Sequence, residues 1–276
     1  MANKIPLLGT GLSGLVGSKF VEMYSDTYEF ENLDLSTGVN ILNEAQVHSA
    51  VEKSKSPVIV HFAAFTDVGK AFEENGNKEG LTYQVNVVGT QNIAKAAKEF
   101  GKHLVHISTA YVFDGQKQTP YVEDDQTHPI EWYGQTKAWA EEEVQKICER
   151  YSILRIDRPY RLDEFPKPDI LHKVKGKLET NSLPPQFSDT SWTPTSIEKF
   201  ADILHFCVQN APNGIFHATT EPIFSDYTFA LWVKEKFSLA GLVSEGSLTE
   251  YLKTSQRPYQ RNTALDTSKL RSLMTK

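Results

Sequence analysis

Residues 5–24 read IPLLGTGLSGLVGSKFVEMY. Ile5 to Gly9 form an apolar run of strand length. Pro6 has no N–H to give a ladder, so it is expected at the strand's first position. Gly11, Gly14 and Gly17 follow at three-residue intervals, and Val16, Phe20 and Met23 then recur at helical spacing. A strand, a glycine turn and a helix in that order leave free main-chain N–H groups at a helix start. Those groups and the helix dipole attract a pyrophosphate, and glycines let the backbone come close. The turn therefore predicts a dinucleotide cradle made of Gly11, Leu12, Ser13, Gly14, Leu15, Val16 and Gly17. It predicts an α/β fold built on a doubly wound parallel sheet.

Working outward, residues 28–35 (YEFENLDL) read as the second strand. Asp34 follows Gly11 at about the spacing where an acid accepts hydrogen bonds from an adenosine ribose. There it would favour NADH over NADPH, because a 2′-phosphate would meet a carboxylate; a solvated turn acid is the alternative. Leu35 is its neighbour in the cofactor set. Residues 44–53 have an amphipathic helical pattern. SPVIVHFAAFT (56–66) is a proline-started, β-branched run, read as a buried parallel strand. Its end, Ala63, Ala64, Phe65 and Thr66, falls at the carboxyl edge of the sheet, where small residues would let a cofactor approach; close helix–sheet packing explains the alanines equally. Residues 81–100 read as one long helix with Gly101 as its C-cap. Asn86 on it would bridge a group near the active site or be an interior amide satisfied by backbone.

The second informative stretch is 106–137, HISTAYVFDGQKQTPYVEDDQTHPIEWYGQTK. It carries Thr109 at the end of an apolar strand, a long acidic loop, and then Tyr133 and Lys137 on a helix expected to start at Pro129. Residues four apart share a helix face, about 6 Å apart along the axis. An ammonium so placed lowers a phenol pKa, and the Thr109 hydroxyl can hold the reacting oxygen beside it. Trp139, Val144 and Ile147 are expected on the core side of this helix. YSILRI (151–156) reads as a fifth strand and GIFHAT (214–219) as a sixth. Between them, 159–190 is rich in proline and charge, and 197–211 is helical. Residues 224–241 read as a helix capped by Ser225 or Asp226, and the tail to 273 ends in a short helix.

Bulk properties narrow the function classes. The chain has 276 residues, a net charge of −6 and 39% hydrophobic content. With no basic run, nucleic acid is not an expected partner. No apolar stretch reaches the roughly 20 residues that span a bilayer. The N-terminus enters a strand directly without a leader pattern, so the expected location is cytoplasmic. Cys148 and Cys207 are read as reduced core thiols, and no metal site is expected.

TGLSGLVG (10–17), HISTAYVFDG (106–115), PYVEDDQTHPIEWYGQTKAWAE (120–141), WTPTSIEKFAD (192–202), GIFHAT (214–219) and RPYQRNTALDTSKL (257–270) together carry a family likeness over nearly the whole chain. The sequence resembles the extended short-chain dehydrogenase/reductases, and among them the dTDP-4-dehydrorhamnose reductases. The resemblance implies a Rossmann domain (1–158 plus about 192–220) and a small split substrate-binding domain (about 159–191 plus 221–276). It implies hydride transfer from NADPH or NADH to C4 of a nucleotide-linked 4-keto-6-deoxy sugar, as in dTDP-L-rhamnose synthesis. Tyr133 is then the proton donor, Lys137 binds the nicotinamide ribose, and Thr109 bonds the carbonyl. Ala110, Val112, Arg158 and Arg257 join Thr109 and Tyr133 on the substrate side, with Arg257 as the diphosphate clamp. Two positions depart from the family pattern. Ala110 replaces its Asp, and Arg158 stands where it has a Trp; a salt-bridged surface role for Arg158 stays open. A nucleotide-sugar epimerase of the same superfamily and a non-catalytic NAD(P)-binding regulatory subunit are the alternatives. A homodimer is left open as the assembly.

Overall fold

The computed structural model describes residues 4–275. Six parallel strands make one sheet: β1 (Ile5–Thr10), β2 (Tyr28–Leu33), β3 (Val58–His61), β4 (His103–Thr109), β5 (Tyr151–Ile156) and β6 (Gly214–His217). Their order is β2-β1-β3-β4-β5-β6. Alternating side chains explain the layers. Leu7, Val58, Val60, Val105, Ile107, Leu154 and Phe216 face one way, onto Phe20, Phe200 and Leu204. Leu8, Ile59, Leu104 and Ile153 face the other way, onto Val47, Val51, Ile93 and Val144. Strands buried on both faces must be apolar at consecutive positions, which is the pattern of these runs.

The chain leaves β1 outward to β2 and then crosses back to β3. The order therefore reverses between β1 and β3, and the crevice outside their carboxyl ends is where such sheets bind ligands. Pro6 sits second in β1. Ile5 donates to the Thr27 carbonyl, so the next nitrogen turns toward β3, which joins β1 only from Leu8. No ladder bond is lost there.

Several boundaries differ from the sequence reading. β2 stops at Leu33, because Asp34 caps a short 3₁₀ turn, Leu35–Thr37. β3 stops at His61, and 62–67 form a loop before a helix at Val68–Glu73, which Asp67 caps. The expected 81–100 helix contains a π-helical segment, Gln84–Gly89, ahead of its regular part, Thr90–Glu99. Gly101 ends it at φ 62°. The helix that carries Tyr133 and Lys137 is Trp132–Ile147, capped by Glu131 and not begun by Pro129. On it Trp139 leaves the core and meets Trp132 and Tyr83 edge-on.

A second, smaller core joins Tyr160, Leu171, Val174, Leu178, Trp192, Phe229, Ala230 and Val233. It is built from the Ile170–Glu179 helix and the Ser225-capped Asp226–Lys236 helix. The tail returns to the sheet: Ala264 and Asp266 pair with Tyr121, and Leu270 packs in the core against β6. These last residues thus pack with the main sheet.

Candidate active site

The glycine turn closes against β3. Gly11 adopts φ 65°, and a Cβ there would stand 2.9 Å from the Ala63 nitrogen. A Cβ on Gly17 would stand 2.7 Å from the Gly11 carbonyl oxygen. Only glycine fits both positions. The Leu15–Tyr24 helix starts at Gly14 without a side-chain cap, so the amides of Leu15 and Val16 keep the free donors of any first turn. Two of the expected donors are already used: the Leu12 amide bonds Asn32 Oδ1 and the Gly14 amide bonds the Gly11 carbonyl. Leu12 buries its side chain. The cradle is thus narrower than the whole turn, centred on the helix start.

Asp34 lies beside it. Its carboxylate accepts from Ser13 Oγ at 2.9 Å, Asn32 Nδ2 at 2.6 Å and the Ser36 amide at 2.8 Å. Those bonds outweigh its partial burial and hold its pKa down, at about 2. Leu35 next to it is 77% exposed at the sheet edge. Across the crevice, Ala63, Ala64 and Phe65 are half-buried and Thr66 is exposed. Asn86 clasps that loop: its Oδ1 accepts from the Phe65 amide at 2.8 Å and its Nδ2 donates to the Phe65 carbonyl. The same Nδ2 donates to Thr136 Oγ1 at 3.0 Å. Asn86 is therefore satisfied by backbone and by the helix of Tyr133 together.

Thr109 ends β4 and Tyr133 opens the facing helix. Gly134 lets them approach, since a Cβ there would stand 2.2 Å from the Tyr111 carbonyl oxygen. Glu131 fixes the helix start through the amides of Gly134 at 2.7 Å and Tyr133 at 3.2 Å. The Tyr133 phenol is pushed up by burial first and then by Glu131, while its hydrogen bond with Thr109 pulls the other way. Lys137 is buried one turn along. Its ammonium donates to the Ile107 carbonyl at 2.7 Å and lies 3.3 Å from His106 Nε2. Burial lowers it to about 8. The expected lowering of the phenol by this ammonium is not found. β4 holds the charge; His106 and His61 are depressed by burial first and then by that charge.

On the substrate side the expectations divide. Ala110 and Val112 are wholly buried, packed with Phe113, Tyr121, Ala138 and Leu265. Their side chains do not line the site; Tyr111 between them meets Tyr133 edge-on at 5.9 Å. Arg158 is salt-bridged to Asp226 and lies 4.1 Å over the Trp192 ring. Its charge is therefore committed to the smaller unit. Arg257 keeps a buried Nε without a partner among the described residues, and its charge reaches Glu131.

Three groups escaped the sequence reading. Glu131 gave no signal. Asp157, after β5, is buried, with Oδ2 accepting from Thr263 Oγ1 at 2.6 Å and Oδ1 unpartnered. Glu141 and Arg155 form a buried ion pair at 2.6 Å under the site, with Ser108 donating to the same carboxylate. Glu141 falls four residues after Lys137 on one face, and Arg155 is a charge inside an apolar strand. Either fact marks a buried partner.

The family model described as RmlD substrate binding domain matches residues 5–276. A dTDP-4-dehydrorhamnose reductase of Aggregatibacter actinomycetemcomitans is 29% identical over 275 residues, covering 96% of this chain and 91% of that protein. Methionine adenosyltransferase 2 subunit beta of Xenopus laevis is 28% identical, covering 96% of this chain and 81% of that one. The crystal structure of a dTDP-4-dehydrorhamnose reductase from Clostridium acetobutylicum superposes with a TM-score of 0.88 at 26% identity, covering 98% of this chain and 93% of that chain.

Proposed function

The chain belongs to the RmlD substrate binding domain family, and from that premise we propose that it is an NAD(P)H-dependent oxidoreductase reducing the C4 ketone of a nucleotide-linked 4-keto-6-deoxy sugar, as in dTDP-L-rhamnose synthesis. The observation that carries this reading is the convergence of Thr109, Tyr133 and Lys137 at the carboxyl end of β4, beside the glycine cradle. The cradle fits a dinucleotide: a side chain at Gly11 or Gly17 would fill it, and the helix start is uncapped. When bound, the nicotinamide supplies the hydride.

The remaining chemistry falls to the chain. Burial keeps Tyr133 un-ionised, the form that gives a proton to a ketone oxygen. The Thr109 hydroxyl holds that oxygen. Lys137, charged below its pKa of about 8 and held by the Ile107 carbonyl, bonds the nicotinamide ribose. The Leu15 and Val16 amides take the pyrophosphate, Asp34 and Leu35 the adenosine end, and 63–66 the floor. Asp34, ionised at any working pH, favours NADH. Arg257 binds the substrate diphosphate, since its Nε is desolvated without a partner and seeks an anionic acceptor. The smaller unit (about 159–191 and 221–260) closes over the sugar. Arg158 contributes there as a fixed wall. Two buried free thiols, Cys148 and Cys207, suit a cytoplasmic setting.

The test is nicotinamide oxidation with dTDP-4-keto-6-deoxyglucose, a 3,5-epimerase and NADH or NADPH in parallel. Cofactor consumption with a 6-deoxysugar nucleotide as product supports the reading. Cofactor binding without consumption moves a different keto sugar or a non-catalytic regulatory subunit to the front.

A further inference from the structure

β3 ends in His61, which is fully buried and plays no part in the chemistry above. Its Nδ1 lies 2.7 Å from Thr10 Oγ1 and its Nε2 3.0 Å from Thr90 Oγ1. The protons on this chain can be assigned from their partners. Thr90 Oγ1 gives its own proton to the Asn86 carbonyl at 2.7 Å, so it accepts from His61, and Nε2 carries the hydrogen. Thr10 Oγ1 accepts the Ala63 amide at 3.1 Å, so its proton goes to a bare Nδ1. Only the neutral Nε2–H tautomer satisfies every member.

Followed outward, the chain does not stop at the threonines. Thr10 holds Ala63, the first residue of the cofactor floor. Thr90 holds the carbonyl of Asn86, whose amide grips Phe65 on both its N–H and C=O. Asn86 then donates to Thr136, which donates to the Tyr133 carbonyl at 2.9 Å. Asn86 and its carbonyl lie within the π-helical Gln84–Gly89 segment, a distortion that recurs at functional sites. We infer that His61 is a positioning residue, a neutral imidazole that ties both ends of the Ala63–Phe65 floor to the helix carrying Tyr133. Burial and the neighbouring Lys137 charge keep it neutral, with a pKa of about 3. A buried network in which each donor has one acceptor specifies a single geometry, and loss of the imidazole leaves the buried Thr10 hydroxyl proton without its acceptor and takes one donor from Thr90 Oγ1, which keeps its bond to the Asn86 carbonyl.

The inference rests on the nicotinamide reading only for its consequence, and the tests separate the two. Long-range ¹H–¹⁵N correlation of the wild-type protein should show His61 as the Nε2–H tautomer, unchanged from pH 5 to 9. An Nδ1–H tautomer or a titration in that range overturns the inference, whatever the variants do. In His61→Phe, amide exchange at Ala63 and Phe65 should accelerate at least tenfold, while central β4 amides keep their protection. His61→Asn retains the acceptor toward Thr10 and should restore Ala63. His61→Gln retains the donor toward Thr90 and should restore Phe65. The NADH dissociation constant of His61→Phe, followed by fluorescence, should rise about tenfold. If wild-type protein binds NADH and His61→Phe binds it equally with unchanged exchange, the clasp is refuted and the cofactor reading stands. If wild-type protein binds neither NADH nor NADPH, the cofactor reading falls, and the tautomer and exchange measurements decide the clasp alone.

Discussion

Asp157→Asn tests how a carboxylate is held beside the candidate acid. Asp157 is 1% exposed, and its pKa is pushed up to about 6, by burial first and against the pull of Arg158. In the unfolded chain it titrates near 3.8. Above pH 6 both states carry a carboxylate, and folding bears the whole desolvation cost. Below about pH 4 both approach the protonated form, and that cost fades. In between, the folded state binds more protons, so the wild-type protein loses stability as pH rises from about 4 through 6. Raising the pKa from 3.8 to about 6 corresponds to roughly 3 kcal/mol, at about 1.36 kcal/mol per tenfold change in the protonation constant. Asparagine does not titrate. The variant should therefore gain on the wild type by roughly 2–3 kcal/mol between pH 4 and pH 7.5. Any fixed cost of an unpartnered amide N–H is the same at both pH values and cancels. Urea unfolding of the two chains at each pH, with unchanged m-values, reads the difference. A gap that stays constant, or opens the other way, refutes the placement of this cost on Asp157. The substitution also removes one of the negative charges that keep Tyr133 un-ionised.

Tyr133→Phe should cut turnover roughly 10²–10⁴-fold while NADH binding stays within about twofold; substantial residual turnover removes Tyr133 as the acid. Turnover of the wild type should decline as pH rises through about 8, where Lys137 loses its proton; a profile flat to about pH 9.5 contradicts a charged Lys137 in the rate-limiting step. Asp34→Ala should lower KM for NADPH relative to NADH, and unchanged discrimination takes Asp34 out of the cofactor site. Gly134→Ala places a Cβ 2.2 Å from the Tyr111 oxygen, so it should cost about 1–3 kcal/mol of stability and displace Tyr133. Parental melting temperature and turnover together would refute that close approach.

The two units divide the work by physical type. The sheet fixes the proposed cofactor cradle and the candidate Thr109–Tyr133–Lys137 group on rigid elements, as precise chemistry would require. The smaller unit is tied to it by charged contacts: Arg158 to Asp226, Arg161 to Ser18 and Glu22, and Asp163 to Lys19. Arg158 sits at φ 37°, a left-handed conformation that a non-glycine residue adopts at a cost. That turn aims the guanidinium across the boundary at Trp192 and Asp226. Where the family pattern carries an aromatic side chain, this chain therefore has a charge neutralised by its own second unit.

All six strands, the glycine turn and the Tyr133–Lys137 helix are legible in the sequence. Each depends on a short-range rule: period two or a doubly buried run for strands, period four for the helix, glycine where Cβ cannot fit. Gly17 shows it directly, for the atoms that exclude a side chain there, in Gly11 and Leu12, lie within the turn itself, whereas Gly11 is closed by Ala63 from the loop after β3. The boundaries were less legible where a side chain competes with the ladder, as when Asp34 turns back on Ser36 and ends β2. What only the tertiary structure decided is where charge and burial meet. Ala110 and Val112 lie either side of Tyr111, yet packing against Tyr121 and Leu265, residues far along the chain, turns both away from the site. Lys137 has the spacing to act on Tyr133, but β4 supplies the Ile107 carbonyl that holds it. His61, Asp157 and the Glu141–Arg155 pair take their protonation and partners from elements 14 to 106 residues away. Local pattern selects the fold; long-range desolvation and hydrogen bonding set the state of each group in the site, and no sequence window contains both partners.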